Sequence, residues 1–115
     1  MKQVRKAVRT FLINDNKVIV IKYKTNKNMN YYDIPGGKVE ENESAIDASI
    51  REFKEETGIT LLNPILKGIE EFKTKDEDRY FIFFYVASEY LGEISSNSEG
   101  AFGLMKKIFL IMNYL

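Results

Sequence analysis

The sequence predicts an α+β domain in which β-strands precede and follow a single helix. Three observations support this class. The 115 residues suffice for one hydrophobic core but not for two. Runs of β-branched and aromatic residues, typical of strands, lie on both sides of the chain's middle. Only residues 44–57 combine an apolar stripe of helical period with signals for both helix ends. We therefore expect residues 1–115 to form one mixed α+β domain.

Two strands are predicted at the start of the chain. VRKAVRTFLIN, residues 4–14, and KVIVIKY, residues 17–23, are separated by the turn-forming NDNK, so we expect a hairpin. The polar residues 24–30 predict a loop. In YYDIPGG, residues 31–37, the proline and the two glycines are expected to stop any regular element.

The helix signal over residues 44–57 is the clearest in the chain. Ser44 and Asp47 fit an N-terminal capping pair, and Gly58 suits the left-handed position that ends a helix. Spacings of four and three residues form one apolar stripe, which we expect to point into the core: Ile46, Ile50 and Phe53.

Further strands are predicted after the helix. ILKGIEEF, residues 65–72, favours a strand in which Gly68 marks a bulge. A charged turn, KTKDEDR, leads to RYFIFFYVAS, residues 79–88, whose continuous apolar character predicts a strand covered on both faces. SEYLGEISSNSEG, residues 88–100, is expected to be a loop.

The composition excludes several classes of function. Lys plus Arg and Asp plus Glu both number 17, so no overall charge favours nucleic acid or an anionic membrane as a partner. The absence of cysteine excludes disulfides and thiolate sites, and the absence of histidine leaves acid–base and metal chemistry mainly to carboxylates. The start lacks the apolar stretch of a signal peptide, and the apolar tail is too short to span a bilayer. A cytoplasmic location is therefore expected.

An acidic triplet on the predicted helix is the strongest candidate site. Glu52, Glu55 and Glu56 are spaced to share one face, and Arg51 can hold Glu55 four residues on. Three small residues are expected to leave open space beside these acids: Ala45, Ala48 and Ser49. A divalent cation would relieve the repulsion of clustered carboxylates, and their hard oxygens suit Mg²⁺ or Mn²⁺. Taken alone, such a triplet is more often a solvated helix face.

The residues around the triplet complete a longer motif. Gly37 is followed after five residues by Glu43, and after seven more by the run REFKEETGI, residues 51–59. This resembles the Nudix box of the Nudix hydrolases, and all of its fixed residues are present. Chance agreement at a given starting position is on the order of 10⁻⁸. Phe53 stands where an aliphatic residue is commoner. The family's fold, an α/β/α sandwich with a mixed β-sheet, fits the predicted order of elements.

The resemblance implies metal-dependent hydrolysis of a nucleoside diphosphate linked to another group. Carried over by position, Glu55 and Glu56 would bind metal, Glu52 would be a ligand or the base that orients water, and Gly37 would supply a backbone carbonyl. Arg51 would position these carboxylates. Glu43 is either a weaker ligand or simply a carboxylate at the helix start.

Several other residues are candidates by the same resemblance. Glu99 is favoured over Glu93 as a distal acidic ligand or base. Three cations are candidates for phosphate binding, although each is more often a plain surface charge: Arg5, Arg9 and Lys38. Tyr31, Tyr32 and residues 81–85 would either stack on a base or belong to the core.

The substrate is predicted only by elimination. Thr74 stands where ADP-ribose-cleaving members often have proline, and residues 75–77 lack the tyrosine of dinucleoside-polyphosphate cleavers. A nucleoside triphosphate pyrophosphohydrolase of MutT type remains. The alternative is a catalytically impaired Nudix domain that binds nucleotide or regulates. A small-molecule nucleotide is the expected partner, with no nucleic acid or membrane, for a monomer or a homodimer.

The tail departs from the family pattern. EGAFGLMKKIFLIMNYL has no tryptophan and scarcely room for the family's C-terminal helix, which we expect to be shortened or missing. Back-translation of residues 102–114 with one added nucleotide yields a family-like ending, so a frameshift is one hypothesis. A genuine tail would instead predict dimerisation, lipid contact or low stability through residues 108–112.

Overall fold

The computed structural model describes residues 3–15, 17–24, 30–93 and 105–110. Within them the chain forms nine strands and one helix. In chain order these are β1 (Val4–Asn14), β2 (Lys17–Lys24), β3 (Asn30–Asp33), β4 (Gly36–Lys38), α1 (Ala45–Thr57), β5 (Thr60–Leu62), β6 (Ile65–Lys73), β7 (Arg79–Ala87), β8 (Glu89–Leu91) and β9 (Met105–Leu110).

The strands form a mixed sheet, which confirms the predicted fold class. Its main order is β3-β2-β1-β7-β6, while β4 also pairs with β1 and β9 with β2. β1 lies parallel to β7 from Val4↔Arg79 to Leu12↔Ala87, and the other pairs in this sheet are antiparallel. A separate two-stranded sheet joins β5 to β8. β1 lies between β4 and β7, so its pairing with β4 determines where the Gly36–Lys38 backbone lies.

The predicted β1–β2 hairpin is confirmed, with Ile13 opposite Val18 and Asn14 opposite Lys17. The prediction that Pro35 and the two glycines of residues 31–37 stop any regular element was wrong, because β4 begins at Gly36. β3 pairs with β2, β4 pairs with β1, and Pro35 lies between them. The carbonyl of Pro35 accepts a hydrogen bond from the Thr10 amide at 3.0 Å, so the proline interrupts pairing only locally. β3 pairs with the strand that precedes it in the sequence, whereas the partner of β4 is distant in the sequence and is not revealed by local residues.

Both predicted ends of the helix are confirmed. The Ser44 hydroxyl accepts a hydrogen bond from the Asp47 amide at 3.1 Å. Gly58 ends the helix with φ of 80°, and its amide donates to the Lys54 carbonyl. Glycine adopts this left-handed conformation without the steric cost of a side chain, so local chemistry determines where α1 ends.

The predicted core face of α1 was partly wrong. Phe53 is buried against β1, β2 and the β5–β8 region, with Ile50 packed beside it. Ile46, however, is 40% exposed, and the small Ala48 and Ser49 are buried instead. Small side chains let the helix approach the sheet closely, so they contact the core and do not open space beside the acids.

The strands after the helix agree with prediction except near residue 90. β6 carries the predicted irregularity, between Leu66 and Gly68. β7 is buried at Tyr85 and Ala87, whereas residues 80–84 are half-buried, so full coverage on both faces was an overestimate. β8 lies inside the segment predicted to be a loop. Its partner β5 pairs with it across a long sequence separation.

The part of the C-terminal tail that the structure describes is a strand. β9 pairs antiparallel with β2 from Lys17↔Leu110 to Lys22↔Met105. In the described ranges α1 is the single helix, and residues 94–104 and 111–115 of the tail, to which the prediction of a shortened or missing C-terminal helix applies, lie outside those ranges. Among these residues no helix has the length and apolar character needed to cross a membrane. The frameshift hypothesis stays a prediction.

Candidate active site

Arg51 connects the helix to the segment that precedes it. Its Nε and Nη2 atoms donate to the two carboxylate oxygens of Glu43 at 2.7 and 2.9 Å, a bidentate ion pair. Nη2 also donates to the Lys38 carbonyl at 3.0 Å, at the end of β4. Nη1 donates to Glu52 Oε2 at 3.1 Å. One guanidinium therefore fixes α1, β4 and the helix-start segment relative to one another.

The pair between Arg51 and Glu43 is strongly ionised. Hydrogen bonds from the Arg51 guanidinium, and then from the Glu40 amide, lower the pKa of Glu43 to about 2. Glu43 in turn raises the pKa of Arg51 above its ordinary value. Of the two roles considered for Glu43, this geometry favours that of a carboxylate at the helix start that positions Arg51.

Glu52 lies directly against the backbone of Gly37. A Cβ atom added at Gly37 would overlap the Glu52 carboxylate, so a side chain at position 37 would displace it. The Glu52 side chain is 17% exposed. Burial raises its pKa, and the hydrogen bond from Arg51 opposes that shift. The pairing of these two residues across α1 and β4 was not apparent from their separation in the sequence.

The other two acids of the triplet lie in different surroundings. Glu56 Oε1 accepts a hydrogen bond from the Gly36 amide at 2.8 Å. Glu55 is 58% exposed and lies 3.3 Å from Arg51 Nη1. Glu52 and Glu56 thus border the same pair of glycines, while Glu55 remains at the solvent side.

The expected convergence of Glu52, Glu55 and Glu56 is therefore not seen in full. In the part of the chain that the structure describes, no three acidic side chains are grouped closely enough to hold a metal ion. The physical reason is that like-charged carboxylates separate when other donors are available, here Arg51 and the Gly36 amide. Glu99 lies outside the described residues. Glu93 is exposed.

The donor chemistry nevertheless fits a hard divalent cation. Glu52 and Glu56 offer carboxylate oxygens beside a Gly36–Gly37 backbone that carries no side chains. Two successive turns of one helix supply these acids, and β4 supplies the glycines. The third acid of the triplet, Glu55, lies on the same helix and is exposed.

The three predicted phosphate-binding cations are divided between two places. Arg5 and Lys38 line an open cleft of about 610 Å³ that Glu43 also borders, next to the Arg51 network. Lys6 lines the same cleft and was not predicted, because nothing in the sequence distinguishes it from other surface lysines. Arg9 is held elsewhere, donating to the Ile34 carbonyl at 3.0 Å and lying 3.7 Å from Asp33.

The candidate stacking residues are divided in a similar way. Tyr31 and Tyr32 are 50% and 41% exposed on β3. Tyr85 is buried in the core cluster formed with Val8 and Ala48, where burial raises its pKa. Tyr85 is therefore a core residue.

Comparison with known proteins shows the family to which this chain belongs. The family model of the NUDIX domain matches residues 3–105. The Nudix hydrolase YvcI of Bacillus subtilis is 37% identical over 86% of this chain and 63% of its own length. An ADP-ribose pyrophosphatase of Methanocaldococcus jannaschii is 33% identical over 75% of this chain and 51% of its own.

A solved structure gives the same result for the fold. The MutT protein of Bacillus halodurans superimposes with a TM-score of 0.72 at 27% identity, covering 92% of this chain and 68% of that one. The alignments with the two curated relatives span 51–63% of those proteins' lengths.

Proposed function

This chain belongs to the Nudix family, and on that premise we propose that it hydrolyses the diphosphate linkage of a nucleoside diphosphate joined to another group. The proposed substrate class is a nucleoside triphosphate cleaved in the MutT manner, with Mg²⁺ or Mn²⁺ as cofactor. Residues 1–115 act as one catalytic domain in the cytoplasm in this proposal.

One observation carries the proposal: the Glu52 carboxylate is held between the Arg51 guanidinium and the Gly37 backbone. A surface glutamate with no function would extend into water. Glu52 is instead kept largely out of water, and burial raises its pKa. Groups that combine desolvation with a specific charged partner beside a cleft are typical of active sites.

In this proposal the acids of α1 and the cations of the neighbouring cleft have separate roles in the reaction. A bound Mg²⁺ or Mn²⁺ ion would neutralise phosphate oxygens and acidify the attacking water. Glu52 would accept the proton of that water, because a histidine is absent from the sequence and Arg51 holds this carboxylate against the Gly37 backbone. Arg51 keeps Glu52 in place, and Arg5 and Lys38 attract the polyphosphate into the cleft.

A substrate screen tests this function. Deoxynucleoside and ribonucleoside triphosphates are incubated with the protein and Mg²⁺, and release of pyrophosphate or phosphate is followed. ADP-ribose joins the panel because the Methanocaldococcus relative is named for it. Glu56→Gln is expected to reduce turnover by about 100-fold or more, in line with the loss of a metal-positioning group. Glu70→Gln, an exposed position on β6, is the matched control and should retain full activity.

The result distinguishes the enzyme from a binding module. Equal turnover by Glu56→Gln and the wild-type protein would remove the proposed role of Glu56. Tight nucleotide binding without turnover of any substrate would support the regulatory alternative. A thermal-shift titration with Mn²⁺ adds a readout independent of activity: millimolar metal should stabilise the wild-type protein more than Glu56→Gln.

A further inference from the structure

β6 lies at one end of the main sheet. In the described parts of the chain β7 is its one strand neighbour, so its other edge offers backbone amides and carbonyls for further pairing. Eight of its nine residues are exposed, Gly68 being the exception. Four of those eight are large and apolar, with exposures from 43% to 58%: Ile65, Leu66, Ile69 and Phe72. A long apolar edge of this kind is a site at which another strand can add.

The register with β7 assigns each β6 residue to a face of the sheet. Leu66, Ile69 and Glu71 lie opposite Tyr85, Phe83 and Phe81, which share the face that packs on α1. Ile65, Glu70 and Phe72 lie opposite Val86, Ile82 and Tyr80, on the other face. The bulge between Leu66 and Gly68 produces this change of alternation, because one extra residue, Lys67, is accommodated there.

From this arrangement we propose that β6 pairs antiparallel with β6 of a second copy of this chain, about a two-fold axis through Ile69. An interface of this kind is isologous, so every contact occurs twice. Ile69 then lies opposite its own symmetry mate, on the α1 face. Beyond the bulge, Phe72 of one copy faces Ile65 of the other, and both lie on the opposite face. The exposed apolar residues of the edge are thereby covered.

The charges of β6 favour this register over three alternatives. With the axis at Ile69, the bulged residues Leu66 and Lys67 both oppose Glu71 of the second copy, which brings Lys67 and Glu71 together twice. An axis at Glu70 or Glu71 would instead place a glutamate against its own mate, and an axis at Lys67 would oppose two lysines. Glu71 already pairs with Arg79 of its own chain at 2.6 Å. Its carboxylate would then lie between two cations.

Sedimentation velocity of the full chain tests the interface. The wild-type protein should sediment at twice the monomer mass of 13.4 kDa, and Ile69→Lys should sediment as the monomer. Ile46→Lys is the matched control, because Ile46 is also exposed but lies on α1, away from the β6 edge, so the dimer should persist. Circular dichroism checks that each variant remains folded. The outcome does not bear on the proposed hydrolysis, whose residues lie on β1, β4 and α1 and not on β6.

Charge reversal tests the register. Lys67→Glu and Glu71→Lys should each weaken self-association roughly tenfold, because like charges then oppose each other twice. An equimolar mixture of the two variants restores both ion pairs and should form a heterodimer. The intrachain pair lost in Glu71→Lys is exposed and contributes little to stability.

Three results would overturn the proposal. The first is a wild-type monomer at concentrations up to about 100 μM, a weak limit for a specific homodimer. In that case the free edge of β6 would be unpaired or would pair with a different partner. The second is equal dimerisation of Ile69→Lys and Ile46→Lys. The third is a mixture of the two charge variants that associates no better than either alone.

Discussion

Replacing Gly37 with alanine should displace the Glu52 carboxylate while leaving the fold intact. The new Cβ would lie 2.6 Å from Glu52 Oε1, and the atoms it meets are all at the end of a flexible side chain. Glu52 can rotate away at the cost of its hydrogen bond to Arg51, which involves side chains that are partly exposed. We expect a change in unfolding free energy of about 1 kcal/mol or less. Turnover should fall by about 100-fold, because a catalytic group is misplaced.

The neighbouring glycine provides a control with the opposite outcome. A Cβ added at Gly36 would overlap the backbone carbonyl of Val8, and Val8 is completely buried in the centre of the sheet. That carbonyl moves only if β1 moves, and β1 is held by β4 and β7 on either side. Gly36→Ala should therefore destabilise the protein by about 2–3 kcal/mol. The melting temperature should fall by roughly 10 °C.

Urea unfolding combined with a double-mutant cycle checks this reasoning without any assay of activity. In a Glu52→Ala background the collision at position 37 disappears, so Gly37→Ala should become neutral or stabilise by about 0.5 kcal/mol. The cost of Gly36→Ala should be unchanged by Glu52→Ala. If Gly37→Ala is as destabilising as Gly36→Ala, or if Glu52→Ala leaves its effect unaltered, Glu52 does not lie over Gly37.

Three further predictions concern stability. The Thr10 hydroxyl is buried and has no hydrogen-bond partner among the residues that the structure describes, so Thr10→Val should increase the unfolding free energy by about 1 kcal/mol. A less stable variant in urea unfolding would reveal a hidden partner. Phe53→Ala removes a side chain that is 1% exposed and should cost about 3–5 kcal/mol, whereas a loss below about 1 kcal/mol would show that the site is loosely packed. The pKa of Glu43 falls from 4.5 to about 2 in the folded protein, so its ionised form stabilises the fold fully above pH 4.5 and loses that effect as the pH falls towards 2. The difference in unfolding free energy between the wild-type protein and Glu43→Gln should likewise be largest above pH 4.5 and shrink as the pH falls towards 2. A difference independent of pH would exclude the ion pair between Arg51 and Glu43 as its cause.

Features governed by neighbouring residues could be predicted from the sequence. The ends of α1 depend on a hydroxyl three residues from an amide and on a glycine that adopts a left-handed conformation, and both are local. The β1–β2 hairpin and the bulge in β6 have similarly short-range signals. The motif from Gly37 to Ile59 indicated the family and the acids of the candidate site, Glu52, Glu55 and Glu56.

Features that depend on distant contacts required the tertiary structure. The short strands β4, β5 and β8 are stabilised by partners far along the chain, so their own residues carry little signal. The burial of Ala48 and the exposure of Ile46 reflect how closely α1 approaches the sheet, which helical periodicity cannot specify.

The candidate site also has features that the sequence determines and features that only the tertiary structure determines. The sequence by itself determined that carboxylates and one arginine would supply the chemistry, because histidine and cysteine are absent and the acids share one helix. Only the folded chain decided that Glu52 contacts Gly37, that Glu56 binds the Gly36 amide, and that Glu55 stays exposed. The reason is physical: residue type and spacing define which groups a helix can present, but the strand packed against that helix determines which of them are desolvated and paired.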